Sequence, residues 1–210
     1  MHISTRWLRV GALFASLSLA VLAGCSITST KTVINGTPQP SYIFQDALSS
    51  NANNWNTDSS CTFGTGGYHI KASFICFAPT DKVTDAVGTV TVKQISGPTD
   101  TSFGLVFRHP STGNYYAFEI SAGGKWQFYK VANKQNTTLA PLQANTAIKT
   151  GLNVSNTIQV KCVAQNYTFL VNGTQVGQFS DSSFTSAGDW GLDGADGLEV
   201  VYSNFSLAKP

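Results

Sequence analysis

The sequence predicts an all-β domain of two antiparallel sheets, packed face to face as a jelly-roll sandwich. Three observations predict it. From residue 42 onward apolar residues recur with period two in short runs, and no stretch sustains a helical period over three turns. The runs are separated by Gly, Asn and Pro clusters of the kind that close hairpins. The composition is that of a strand protein, with 19 Gly, 11% aromatic residues and glutamate only at positions 119 and 199, whereas helices draw on Ala, Glu, Leu and Lys.

The elements follow in order. Residues 42–46 form a first strand. Tyr68, Ile70, Ala72, Phe74 and Cys76 share one parity of a second strand. Residues 83–95 hold a long Thr/Val alternation that places Val90 and Val92 on one face. Residues 103–109, 115–121 and 125–131 come next, joined by the loops 110–114 and 122–124, both of hairpin type. Residues 157–164 and 167–171 make another antiparallel pair, and Asn172-Gly173 turns the chain into 174–179. Residues 190–192 and 198–207 finish the domain. So many short antiparallel strands mean a sandwich or a barrel, and a two-sheet jelly roll suits this length. The first and last strands are expected to pair, closing the sheet edge and keeping the termini together.

The first residues belong to a different class. Arg6 and Arg9 precede an apolar run from Val10 to Val21, and Leu22-Ala23-Gly24-Cys25 follows. The run falls short of the roughly 20 residues that span a bilayer and suits the removed core of a signal peptide. The small residues before a cysteine resemble the lipobox of bacterial lipoproteins. That resemblance implies removal of residues 1–24, acylation of Cys25 and attachment to the outer side of a bacterial membrane. A transmembrane anchor and an ordinary secretory signal rank below it. Several acyl chains on one cysteine hold firmly, whereas one chain binds marginally. Residues 25–40 are small and polar and end in prolines, which reads as a tether. Residues 41–208 form the domain.

Charge excludes some partners. The chain has 13 Lys and Arg against 11 Asp and Glu. The leader holds two of the former, Arg6 and Arg9, and none of the latter, so the remainder is balanced. A neutral surface lacks the basic footprint that nucleic acid demands and the charge for docking on anionic lipid.

An exported chain permits disulfides. Cys61 and Cys76 flank a glycine-rich turn and are paired here across a hairpin. Cys162 shares the apolar parity of Ile158 and Val160 and reads as a buried small hydrophobe rather than a reactive thiol.

The strings Gly104-Leu105-Val106-Phe107-Arg108, Tyr115-Tyr116-Ala117-Phe118-Glu119-Ile120 and Gly124-Lys125-Trp126-Gln127-Phe128-Tyr129 resemble the central strands of concanavalin A-like lectin/glucanase domains. The similarity is greatest to the laminin-G-like and 3-keto-disaccharide-hydrolase-like branch. Phe44-Gln45-Asp46, Val171-Asn172-Gly173, Gly177 and Tyr202-Ser203-Asn204-Phe205-Ser206-Leu207 continue it, over nearly all of residues 41–208. These motifs are structural, so the resemblance bears on fold more than on activity. It implies a glycan site on the concave sheet face or its rim.

Strict alternation places Arg108 with Gly104 and Val106, and Glu119 with Tyr115 and Ala117. If the intervening hairpin closes, Arg108 and Glu119 share a sheet face. A guanidinium fork and a carboxylate are what vicinal sugar hydroxyls need, and a cross-strand ion pair is the equally weighted alternative. Tyr115, Tyr129 and Trp190 are the aromatics singled out for stacking on a sugar ring, with core packing as the alternative for each. Trp126 and Phe128 share one parity and Gln127 and Tyr129 the other, so one set is core.

Asp193 and Asp196 in the Gly/Asp loop could offer hard oxygens to calcium, and the resemblance, in which calcium often lies where first and last strands meet, implies Asp46 as a further ligand. Ser203-Asn204 stands where many relatives have an aspartate before the asparagine, and turn chemistry accounts for the Asp/Gly loop at 189–197 more simply. Retaining glycosidases of the resembled superfamily carry alternate carboxylates on one strand, about 5–5.5 Å apart. Glu119 and Glu199 have no such partner, no Gly-x-Ser-x-Gly elbow exists, and His69 and His109 lie far apart. An Asp193 and Glu119 pair is an unorthodox arrangement that nothing in the sequence favours. The reading is a lipid-anchored β-sandwich that binds a carbohydrate or another surface ligand without chemistry. A glycoside hydrolase on the same fold and a structural envelope module are the alternatives.

Overall fold

The computed structural model describes residues 39–210. Residues 1–24, Cys25 and most of the tether lie outside the described residues. The described chain holds fourteen strands: β1 (Tyr42–Asp46), β2 (Cys61–Gly64), β3 (Gly67–Ile70), β4 (Ile75–Phe77), β5 (Ala86–Ser96), β6 (Ser102–Ser111), β7 (Asn114–Ser121), β8 (Lys125–Ala132), β9 (Gln135–Ala144), β10 (Asn156–Val163), β11 (Asn166–Val171), β12 (Thr174–Ser180), β13 (Asp189–Asp193) and β14 (Glu199–Ala208). They form two antiparallel sheets. The eight-stranded sheet runs β12-β11-β10-β5-β14-β3-β2, with β1 also on β14; the six-stranded sheet runs β4-β13-β6-β7-β8-β9. This is the expected all-β sandwich, and β1 and β14 pair as expected, with Asp46 opposite Phe205.

Alternation builds the core. Val90 and Val92 on β5 and Phe169 and Val171 on β11, from one sheet, join Phe118 and Phe128 from the other in one buried cluster. Aromatic rings do much of the filling: Phe118 stacks on Phe169 at 4.6 Å, and Phe107 on Trp190 at 5.4 Å. Such pairs add about 0.5–1.5 kcal/mol beyond area burial. Gly88 on β5 is required by this packing, since a Cβ there would lie 2.1 Å from the Trp190 ring. Cys162 is buried and free, beside Ile158 and Val160.

Three differences from the sequence reading have physical causes. The parity run 68–76 is not one strand. It leaves the larger sheet after Ile70 and enters the smaller one at Ile75, with Phe74 exposed between them. Cys61 and Cys76 are bonded, but not across a hairpin: Cys61 sits on β2 and Cys76 on β4, so the bridge ties one sheet to the other. Strand β9 is an additional edge strand. Its polar sequence, with Pro141 inside it, carries no period-two apolar signal, and only the rim of a sheet tolerates such a strand.

Candidate functional site

The outer face of the six-stranded sheet forms a trough of about 750 Å³. Register fixes its rows. One row runs Ile75, Asp193, Gly104, Glu119, Gln127 across β4, β13, β6, β7 and β8. The next runs Phe77, Gly191, Val106, Ala117, Tyr129. The floor of that second row is small at its centre and aromatic at both ends. A Cβ on Gly191 would meet the Ile75 and Phe77 side chains within about 3 Å, so glycine keeps the floor low there. Beyond it stand Tyr115 and His109, whose ring lies 4.5 Å from that of Phe77.

Glu119 is the polar centre. It is only 5% exposed. Tyr129 donates its hydroxyl to Oε1 at 2.6 Å, and Gln127 donates Nε2 to Oε2 at 2.6 Å. Asp193 lies two strands away on the same face. Gly104 stands between them in register, and a Cβ there would strike the Phe118 carbonyl oxygen at 2.1 Å, so β6 and β7 approach closely and the two carboxyl groups come within hydrogen-bonding reach. Burial pushes the Asp193 carboxyl well above the usual range, and the neighbouring Glu119 carboxylate pushes it further. Burial and then the two carboxyl groups also raise the Tyr129 phenol, so it stays a donor. Beneath the row, Tyr202 reaches from the opposite sheet and donates to the Asp193 carbonyl at 2.6 Å and the Gly104 carbonyl at 3.2 Å. His109 is held by Asp189 at 3.1 Å.

The structure gathers Glu119, Tyr115 and Tyr129 from the sequence candidates and adds Asp193, expected as a metal ligand. It does not gather Arg108. The β6 ladder is bulged between Phe107 and Ser111, and Arg108 has φ +53°. A bulge shifts alternation by one residue, so Arg108 turns into the core at 0% exposure and His109 takes the trough face. All five guanidinium donors are used: Nε on Cys162 Sγ at 3.0 Å, Nη1 on the Thr185 and Ser186 carbonyls, and Nη2 on Asp85 and the Ala164 carbonyl. No donor is left for a ligand. Burial pushes the Cys162 thiol up to about 11, with Arg108 opposing.

Trp190 is likewise core, at 2% exposure. The Gly/Asp-rich segment is a strand whose odd positions, Asp189, Gly191 and Asp193, face the trough while Trp190 and Leu192 face inward. Nor do the three metal candidates converge. Asp46 lies on the larger sheet and accepts from the Leu48 amide, Asn53 and Trp55. Asp196 is exposed and accepts from the Ser73 amide, and Asp193 faces Glu119. Among the described residues no group of three or more His, Cys, Asp or Glu is arranged around a cation.

Sequence reasoning missed His109 and Gln127. Gln127 was legible through its shared parity with Tyr129; His109 was hidden by the bulge. A second hollow, of about 800 Å³, lies along Ile43, Phe44 and residues 79–84, where Asp81 and Lys82 stand in an open loop with no converging hydrogen-bond set.

No known family profile matches the chain, and no curated protein matches its sequence. Solved structures resemble it. The carbohydrate binding module CBM66 from Bacillus subtilis has a TM-score of 0.63 at 17% identity, over 74% of this chain and 95% of that one. A Bacillus subtilis protein of unknown function with a galectin-like fold has a TM-score of 0.64 at 13% identity, over 82% and 97%. A putative glycosyl hydrolase from Parabacteroides distasonis has a TM-score of 0.59 at 13% identity, over 79% and 98%. At these identities the likeness shows the fold: this chain carries a jelly roll of the kind found in carbohydrate-binding modules and galectin-like proteins.

Proposed function

We propose that the protein is an exported, lipid-anchored module that binds carbohydrate in the trough without acting on it. One observation carries this reading. A single sheet face combines fixed hydrogen-bonding groups (Glu119, Gln127, Tyr129, Asp193) with aromatic side chains at both ends of a small-residue floor. A sugar ring presents hydroxyls at its edge and C–H groups on its faces, and needs both kinds of partner. The likeness to CBM66 supports the reading at the level of fold. The anchor rests on Leu22 to Cys25. The Cys61–Cys76 bond supports an oxidising compartment.

The carboxyl pair is where a hydrolase would have to do its chemistry. Its two groups come within hydrogen-bonding reach of each other, whereas a retaining pair stands roughly 5–5.5 Å apart and an inverting one roughly 6.5–9.5 Å. This favours binding over hydrolysis. The test is a glycan array with the whole protein, followed by hydrolysis assays on every glycan retained. Retention without cleavage is expected. Cleavage that disappears in Glu119→Gln would replace the binding module with an enzyme, and no retention at all would end the carbohydrate reading.

A further inference from the structure

The trough has a second polar pole. Glu119, Gln127 and Asp193 make the first, and His109 and Tyr115 stand at the other end of the same lining. Register sets their separation: Asp193 lies opposite Gly104 and Asp189 opposite His109, with Gly191 and Val106 paired between them. From Asp189 to Asp193 the extended strand covers about 13 Å. Val106 and Ala117, paired on the floor between the poles, carry no hydrogen-bonding side chain. The trough also follows this direction, since Ser102 lines it at one end of β6 and Thr112 lines it beyond the other.

Several features of the chain converge on the His109 ring. The bulge after Phe107, with Arg108 at φ +53°, turns His109 to this face. Bulges re-aim side chains in this way beside functional sites, and a non-glycine residue in the left-handed region is held there against strain. A Cβ on Gly188 would lie 2.5 Å from the His109 backbone nitrogen, so glycine lets the next residue, Asp189, come against the bulge. Asp189 then takes Nδ1 at 3.1 Å, and the Phe77 ring lies 4.5 Å from the imidazole. An ionised carboxylate only accepts, so Nδ1 carries the ring proton and Nε2 is left as an acceptor. Nε2 has no hydrogen-bond partner among the described residues, and neither has the hydroxyl of Tyr115, whose ring is 6.3 Å away.

We infer that His109 Nε2 accepts a hydrogen bond from the ligand, and that the trough takes a linear oligosaccharide lying along β6 from the Glu119 pole to His109. This rests on the carbohydrate reading and names its ligand class: two or more linked pyranose units, not a single sugar. One ring cannot touch both poles. Two or three linked rings can, with a C–H face over Val106 and Ala117 and hydroxyls at each end. Asp189 is a positioning residue, which fixes the tautomer and plane of the imidazole without touching the ligand.

The experiment is titration calorimetry of the whole protein with glucose, cellobiose and cellotriose, with the matching β-1,4-linked N-acetylglucosamine ladder, and with the one-, two- and three-unit fragments of any other glycan the array retains. In a ladder that binds, the second or third unit is expected to raise affinity about tenfold in the wild type and roughly twofold at most in His109→Phe, which keeps a ring against Phe77 and loses the nitrogen. Asp189→Asn donates to Nδ1 and sends the ring proton to Nε2, so it should shrink the same step. Melting curves check that each variant is folded. Nitrogen NMR of the imidazole at pH 8 reads the contact in the wild type whether or not the variants fold. Nδ1 should be protonated in the free protein, and the Nε2 signal should move when the trisaccharide binds. His69, with a partner on each ring nitrogen, is the internal control and should not move. An undiminished length step in His109→Phe, equal affinity for one unit and three, or an unmoved Nε2 signal overturns the inference and leaves the carbohydrate reading intact. Binding of no sugar, on the array or in solution, overturns both.

Discussion

Glu119 and Asp193 stand on strands β7 and β13, one on each side of Gly104 in register, and their carboxyl groups come within hydrogen-bonding reach of each other. Burial and this neighbour set the sign of a pH dependence. Asp193 has its folded pKa raised above the unfolded value of 3.8. The stability linked to it is full below that value and is lost as pH rises through the folded pKa, because the native state then holds a proton the unfolded chain has released. Thermal melts of the wild type should therefore fall in midpoint as pH rises above the ordinary aspartate range. Asp193→Asn, with a permanent donor toward Glu119, should flatten that slope and melt higher at neutral pH. An unchanged slope would contradict the raised Asp193 carboxyl.

Arg108 is a clamp, not a ligand contact. Its guanidinium holds the 185–186 carbonyls, Ala164, Asp85 and Cys162 together. Arg108→Met should cost about 3–5 kcal/mol, since it orphans several buried acceptors at once. Chemical denaturation measures this. Arg108→Lys should fail nearly as badly, because a point charge cannot replace the planar fork. Glycan affinity of whatever fraction stays folded should not change.

The Cys61–Cys76 bond closes a loop of sequence separation 15 and fastens β4, the edge of the trough, to the other sheet. Removing both sulfurs should cost about 3 kcal/mol by chain entropy. It should also weaken ligand binding, because Ile75 and Phe77 lose their anchor. Denaturant melts of Cys61→Ser/Cys76→Ser read the first effect, and affinity at a temperature where the variant is folded reads the second.

Asp181 is a separate acid-sensitive joint. Burial acts to raise its carboxyl, but hydrogen bonds from Lys130, Ser183 and Tyr116 overcome burial and hold it well below the usual range. The stability it contributes is present above the unfolded value of 3.8 and is lost as pH falls through the folded pKa. Asp181→Asn should lose roughly 1.5–3 kcal/mol at neutral pH and little in strong acid. Equilibrium unfolding at the two pH values checks it.

The fold was legible because period two persists through β5, β10, β11 and the first half of β8, where buried residues alternate with less buried ones. The trough was legible in part for the same reason: Tyr115, Ala117 and Glu119 follow the alternation without interruption. Arg108 was misplaced because a bulge, whose only trace is one left-handed backbone residue, cancels alternation from that point. Trp190 was misplaced because glycine and aspartate mark both turns and the floor of a cleft. The Glu119–Asp193 contact joins residues far apart in sequence across a strand that contributes nothing visible, Gly104. No local pattern records such a contact.

An amide NMR titration of the whole protein with the strongest glycan from the array locates the binding face. The largest shifts should fall on Gly104, His109, Tyr115, Glu119, Gln127, Tyr129 and Asp193, and Tyr115→Ala should weaken binding about tenfold, or roughly 1.4 kcal/mol. Shifts confined to the eight-stranded sheet, or a Tyr115→Ala affinity equal to that of the wild type, would contradict this placement.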